Sequence, residues 1–266
     1  MLGIIIAYSL VGAVAGVLAG LLGIGGGLVI VPMLAIVFEM LGIPTQHLMH
    51  MALATSLACI IFNSVSSFMA HHRRGAVDWA VVKSITPGIL IGTYLGTCVA
   101  AWLPTSALKV FFVVFLYYAA SNMLRNKKPK ASRQLPGRLG MFATGNVIGA
   151  VSSLVGIGGG TLSVPFLVWC NVTIHRAIGT AAAIGLPIAL AGTLGYVVNG
   201  WGEPGLPDYT LGYVYLPALA GIVCVSVFTA PLGARLAHSL PVGKLKTVFA
   251  ILLLVVGTRM LIKLLY

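Results

Sequence analysis

Charged side chains are scarce in this sequence: Asp, Glu, Lys and Arg make up 8% of its 266 residues, and only four of them are acidic. A soluble domain covers its surface with roughly 25% charged residues, so a soluble globular fold is excluded. There is no carboxylate pair, no Ser-His-Asp set and no HExxH. Catalysis needs such convergent groups, and no enzyme is expected. The four cysteines, Cys59, Cys98, Cys170 and Cys224, form no CxxC pair, and each falls within or at the end of an apolar run. They read as small buried hydrophobes, with no disulfide, metal or cofactor expected. A basic region before the first apolar stretch is missing too, so that stretch reads as retained rather than cleaved.

What the chain has is apolar length: 59% of its residues are hydrophobic. The runs Met51–Ala70, Ile85–Trp102, Leu108–Met123, Ala177–Val198 and Leu245–Leu265 each hold about 16–22 residues, enough to cross ~30 Å of hydrocarbon. An all-α polytopic membrane protein is expected. The net charge of +12 would suit nucleic acid, but the bases sit in loops between the runs, where membrane topology puts them. No nucleic-acid partner is expected. Trp79, Trp102, Trp169 and Trp201 lie at run ends, as an interfacial aromatic belt requires.

The chain contains one unit written twice. Gly16–Leu34 reads GVLAGLLGIGGGLVIVPML, and Gly149–Leu167 reads GAVSSLVGIGGGTLSVPFL. Gly23 to Gly27 match Gly156 to Gly160, and Pro32 matches Pro165. Downstream, Ala54-Thr55 resembles Gly179-Thr180. Leu95-Gly96, Leu103-Pro104 and Leu108-Lys109 match Leu232-Gly233, Leu240-Pro241 and Leu245-Lys246. The division is a first transmembrane repeat at 1–124, a basic linker at 125–138 and a second transmembrane repeat at 139–266. The linker carries six of the sixteen Lys and Arg residues, which places it in the cytoplasm.

The stretch from Ile4 to Phe38 would be about 52 Å long as one helix, too long for a single crossing. Split at the glycines, its second piece, Leu28–Phe38, is only about 17 Å. Leu139–Cys170 divides in the same way. Each segment is expected to be a re-entrant hairpin of two half-helices turning at GIGGG. One hairpin plus three spans per half makes the halves inverted repeats. Thirteen bases then fall inside and three (Lys109, Arg259 and Lys263) outside, with Glu203 and Asp208 outside as well. Single crossings would give eleven and five, a poorer fit to the positive-inside bias.

Intramembrane polar groups are costly and often functional, and here the two glycine turns stand out. A helix N-terminus exposes unpaired N–H groups and about half a positive charge, so two such ends meeting near the midplane would hold an anion. Broken helices at corresponding points of inverted halves point to a transporter site. Close helix packing through glycine is the alternative. No nucleotide loop is present, because Leu28-Val29 and Thr161-Leu162 follow the glycines where Lys-Ser/Thr is needed. The candidate substrate-binding residues are the turn glycines Gly25, Gly26, Gly27, Gly158, Gly159 and Gly160. Thr161, Ser163, Thr55, Ser56, Thr180 and Asn63 add hydroxyls and an amide, though a helical hydroxyl also bonds its own backbone. Arg176 opens the span that contains Thr180, facing either the cavity or the cytoplasm. His47 and His50 titrate near neutral pH or are ordinary interfacial residues. His71-His72-Arg73-Arg74 reads as a topology signal.

The segments GLLGIGGGLVIVPML and VGIGGGTLSVPF, with the later Leu-Gly and Leu-Pro pairs, resemble the sulfite exporter TauE/SafE family over both halves. The matched positions are Gly23, Gly25, Gly26, Gly27 and Pro32, with Gly156, Gly158, Gly159, Gly160 and Pro165. The resemblance implies a permease of the bacterial cytoplasmic (inner) membrane for sulfur-containing anions: sulfite, sulfoacetate and related organosulfonates. Leu28 and Ile30 stand where the second copy has Thr161 and Ser163, so the site is expected to be polar mainly on the second side. The expected function is a secondary transporter that exports such an anion by rocking one half against the other. An anion channel and a membrane enzyme acting on oxidised sulfur compounds are the alternatives. The expected partners are a small anion, the lipid bilayer and a second copy of the chain in a homodimer.

Overall fold

The computed structural model describes residues 8–17, 26–125, 133–239 and 242–265. Five helices belong to the first half: α1 (Tyr8–Val17), α2 (Gly27–Met40), α3 (Leu48–Arg73), α4 (Trp79–Trp102) and α5 (Thr105–Leu124). Five belong to the second: α6 (Arg138–Val155), α7 (Gly160–Trp169), α8 (Ile174–Asn199), α9 (Leu216–Ser239) and α10 (Val242–Leu265). Between α8 and α9 the chain forms a small antiparallel hairpin of β1 (Thr210–Leu211) and β2 (Val214–Tyr215).

The chain is an all-α polytopic membrane protein. Helices α3, α4, α5 and α8 and the stretch Thr247–Leu264 of α10 are long and apolar enough to span a bilayer. They coincide with the five apolar runs to within a few residues. α9 is apolar over Leu216–Thr229 and continues to Ser239. Local chemistry sets the boundaries. Asp78 caps α4, its carboxylate accepting the N–H groups of Ala80 and Val81 at 3.2 and 3.3 Å, which satisfies donors that a helix start leaves open. Pro104 has no N–H to continue α4 and stands instead just before α5.

Two pairs of corresponding helices run antiparallel. In the α3–α8 pair, Leu57 lies against Gly192 and Ser64 against Gly185. In the α5–α10 pair, Tyr117 bonds Thr258, while Lys109 and Lys263 share the Glu39 carboxylate. Helices of the two halves also pair in parallel. α6 lies parallel to α4, with Gly88, Gly92 and Gly96 set against Phe142, Asn146 and Ala150. α1 lies on α9 in the same sense, Gly12 against Ile222 and Gly16 against Ser226. Lipid gives no hydrophobic drive for helix association, so close backbone contact at small residues supplies the adhesion. A Cβ added to Gly92 would stand 2.1 Å from the Asn146 carbonyl oxygen.

Matched threonines reinforce the exchange. The Thr180 hydroxyl accepts the backbone N–H of Asp78, just before α4, at 2.9 Å. The Thr55 hydroxyl accepts that of Tyr215, just before α9, at 3.0 Å. Each half thus holds the start of the other half's second span.

Candidate substrate site

The second glycine motif interrupts the helix, and a helix starts within the first. α6 ends at Val155, Gly156 follows with φ 69°, and α7 begins only at Gly160 behind Gly159 with φ 74°. α2 begins at Gly27 behind Gly26 with φ 77°. These left-handed conformations are open to glycine and strained for other residues. The ends of the second hairpin return to one place, since the Arg133 guanidinium sits 4.8 Å over the Trp169 ring and the Arg133 N–H donates to the Trp169 carbonyl.

The two turns touch. A Cβ on Gly27 would stand 2.5 Å from the Gly156 carbonyl oxygen and 2.9 Å from Ile60 Cδ1. Ile60 lies halfway along α3. A Cβ on Gly185, close to the middle of α8, would stand 2.9 Å from the Gly158 carbonyl oxygen and 3.1 Å from Ser64 Oγ. Ser56 Oγ donates to the Gly156 carbonyl at 2.9 Å. The N–H groups of Val29 and Ile30 go to the Gly26 carbonyl, and those of Leu162 and Ser163 to the Gly159 carbonyl. The amides just ahead, Gly27 and Leu28 on one arm and Gly160 and Thr161 on the other, have no backbone partner among the described residues. The start of α2, which carries partial positive charge, therefore lies against Gly156 at the end of α6, four residues ahead of the start of α7.

Side-chain polarity is uneven around the turns. Ser152 and Ser163 are fully buried, and their hydroxyls have no partner among the described residues. Both would lie 3.6 Å from a Cβ on Gly159, so they flank that glycine. The Thr161 hydroxyl is likewise unpartnered. On the first arm the corresponding Leu28 and Ile30 are buried and apolar. Counting from the matched Thr55 and Thr180, Asn63 corresponds to Ile188, whose Cδ1 presses on Gly159. The Asn63 carbonyl accepts Ser226 Oγ at 3.0 Å, beside Gly16, and its Nδ2 has no partner among the described residues. A buried unpaired donor costs about 1–3 kcal/mol, and Ser152, Thr161 and Ser163 place three such hydroxyls around the second turn.

Other expected site residues are engaged elsewhere. Thr55 and Thr180 spend their hydroxyl oxygens on backbone amides at helix starts. Arg176 pairs with Asp78 at 3.2 Å, on a side chain more exposed than buried, and belongs to the end where α4 and α8 begin. Gly25 lies outside the described residues. Sequence reasoning missed Ser152, although a signal existed: the second copy has Ser152 where the first has Ala19. Two cavities lie away from the turns. One is a cleft of about 290 Å³ lined by Trp201, Glu203, Leu206 and neighbours in the loop after α8. The other is a narrow cavity beside Glu39, Lys109 and Arg259.

Paired helix breaks at mid-length of the central spans are the arrangement of a carrier fold, and the comparisons with known proteins agree. The model of the family described as Sulfite exporter TauE/SafE matches residues 8–260. The chain belongs to the sulfite exporter TauE/SafE family. It is 39% identical over 264 residues to a protein of Haemophilus influenzae named "Probable membrane transporter protein", covering 99% of this chain and 100% of the relative. It is 29% identical over 258 residues to a protein of Methanocaldococcus jannaschii also named a membrane transporter, covering 95% and 94%. A Bacillus subtilis relative of the same description is 25% identical over 239 residues, covering 87% and 90%. No solved structure matches. The chain is therefore an integral membrane protein of a transporter family.

Proposed function

We propose that this TauE/SafE member carries a small sulfur-containing anion, sulfite or an organosulfonate such as sulfoacetate, across the bacterial inner membrane, in the direction of export. The observation that carries the reading is the contact between the two glycine motifs, Gly27 against Gly156, with a short helix starting after each. Among the described residues the amides of Gly27, Leu28, Gly160 and Thr161 have no backbone partner, and the buried hydroxyls of Ser152 and Ser163 have none at all. Such a site attracts negative charge without a buried cation. Its oxygens and amides match the several acceptor oxygens of a sulfonate or sulfite. A negative cell interior drives an anion outward with about 2.3 kcal/mol per charge per 100 mV.

The halves are proposed to be inverted in the bilayer. The antiparallel α3–α8 and α5–α10 pairs support this, and so do the contacts between helix ends. Arg176 and Asp78 meet at the end that the charge distribution assigns to the cytoplasm. Glu39, Lys109 and Lys263 meet at the opposite end. Single cysteines in a cysteine-free background test the arrangement. Gly137→Cys in the linker is expected to label only from inside, and Glu203→Cys only from outside. Labelling of both from one side would rule out inversion.

Liposome flux of sulfite, sulfoacetate, sulfate and acetate tests the transport reading. Saturable flux with counterflow for sulfur oxyanions is expected. Flux linear in the gradient, with no counterflow, identifies a channel. A hydrogen bond to a charged partner contributes about 1.5–3 kcal/mol, so Ser163→Ala is expected to raise the half-saturation concentration by roughly tenfold or more. An unchanged value would remove the second turn from the binding site.

A further inference from the structure

We propose that His50 is a proton-binding site that couples anion movement to proton movement in the same direction; this rests on the carrier reading above but not on its export direction, because a proton gradient that is acid outside then drives the anion inward. The chain has four carboxylates, and none lies within a long span: Glu39 closes α2, Asp78 precedes α4, and Glu203 and Asp208 lie in the loop after α8. A carboxylate relay through the membrane is therefore ruled out by composition. Of the six histidines, His71 and His72 lie in the last turn of α3 and His175 is exposed at the start of α8. The His238 side chain is outside the described residues. His50 is buried, at 4% exposure, where elements of both halves meet.

Its geometry leaves one nitrogen committed and the other free. His50 Nε2 donates to the Ala100 carbonyl at 2.9 Å, which fixes the neutral tautomer with its lone pair on Nδ1. Nδ1 is buried and has no partner among the described residues. A proton arriving there creates an imidazolium without breaking the bond to Ala100. The ring is stacked on Tyr213, centroids 5.1 Å apart, and an aromatic face stabilises a cation lying over it.

The groups facing His50 are few. Among the described residues, the cap of its own helix contributes His47, and main-chain carbonyls of Gln46, Ala100 and Leu103 face the ring. The loop contributes Tyr213, with Glu203 near it, and α8 contributes Tyr196, edge-on to Tyr213 and donating to the Ser153 carbonyl. Burial, and secondly the Glu203 carboxylate, raise the Tyr213 hydroxyl above its ordinary range, so it stays neutral around physiological pH.

The position also connects the two surfaces that coupling requires. Outward, His47 Nε2 lies 3.1 Å from the Pro204 carbonyl and 2.9 Å from Gln46 Nε2, beside the loop that lines the 290 Å³ cleft. Inward, Ser56 is less than two turns further along α3, about 9 Å, and bonds the second glycine turn. A unit charge at that distance in a poorly polarisable interior strengthens anion binding by roughly tenfold or more.

The test uses the full-length protein in proteoliposomes with radiolabelled sulfoacetate, whose own charge is constant over the neutral range, and a trapped pH dye. An acidic exterior is expected to accelerate uptake, with proton entry accompanying the anion. His50→Gln keeps a donor for Ala100 but accepts no proton. It is expected to lower gradient-driven uptake about tenfold and to remove proton entry, while lowering anion exchange at equal pH far less. Unchanged proton entry in H50Q overturns the proposal. Parallel loss of uptake and exchange in H50Q also overturns it, since His50 is then a packing residue. Absence of exchange in the unmodified protein would instead remove the carrier reading itself.

Discussion

Replacing Gly159 by valine is expected to abolish transport, lowering flux by at least about a hundredfold, while the protein still inserts and runs as a single species on size exclusion. Two independent effects act at this position. Its φ of 74° lies where a β-branched residue is strained, at about 1–3 kcal/mol. A Cβ there would also stand 2.3 Å from Ile188 Cδ1. The Ile188 tip can withdraw, so the helices need not separate, but the turn must rotate and carry the amides of Gly160 and Thr161 with it. Gly26→Val, at φ 77°, is expected to have the same phenotype through the other arm. Near-normal flux in both variants would show that the amides of these turns take no part in transport.

The second large effect belongs to the interface between α4 and α6. Gly92→Leu is expected to eliminate folded protein rather than impair its transport. The added carbon meets the Asn146 carbonyl at 2.1 Å and its Cα at 2.6 Å, and backbone cannot rotate away as a side-chain tip does. Separating the two helices forfeits the contacts along Gly88, Gly92 and Gly96, so the cost exceeds the roughly 1–3 kcal/mol of ordinary overpacking. Gly137→Ala, in open space at φ −61°, serves as the neutral control. Recovery of monodisperse Gly92→Leu protein at ordinary yield would show that this contact is dispensable.

Much of the architecture was legible because its signals are local or repeated. Apolar runs marked the spans, since lipid demands length, and the doubled GIGGG marked the breaks, since few residues accept φ near 75°. The candidate site was legible only in part. Nearness to the motif selected Ser163, Asn63, Thr55 and Thr180 alike; of these, Thr55 and Thr180 accept backbone N–H groups some 160 and 100 residues distant in sequence. Pairing partners of that kind leave no mark on the segment that contains the hydroxyl. Arg176 was drawn to the site by its charge, yet Asp78 holds it at a helix start. The pairing of α4 with α6 was written in glycines four residues apart on both helices, at 88, 92 and 96 and at 145 and 149. That spacing is visible in the sequence, but which two helices it joins is not.

The parallel pairs between halves bear on how the molecule moves. Because α6 is bound to α4 by main-chain contact, and α1 to α9 likewise, the rocking of one half against the other expected from the sequence would have to break both seams. Units that move without breaking these seams would be mixed, each joining the first helix of one half to a later helix of the other. Each repeat made alone would lack the surface on which its own first helix is seated, and the two made as separate polypeptides should find each other.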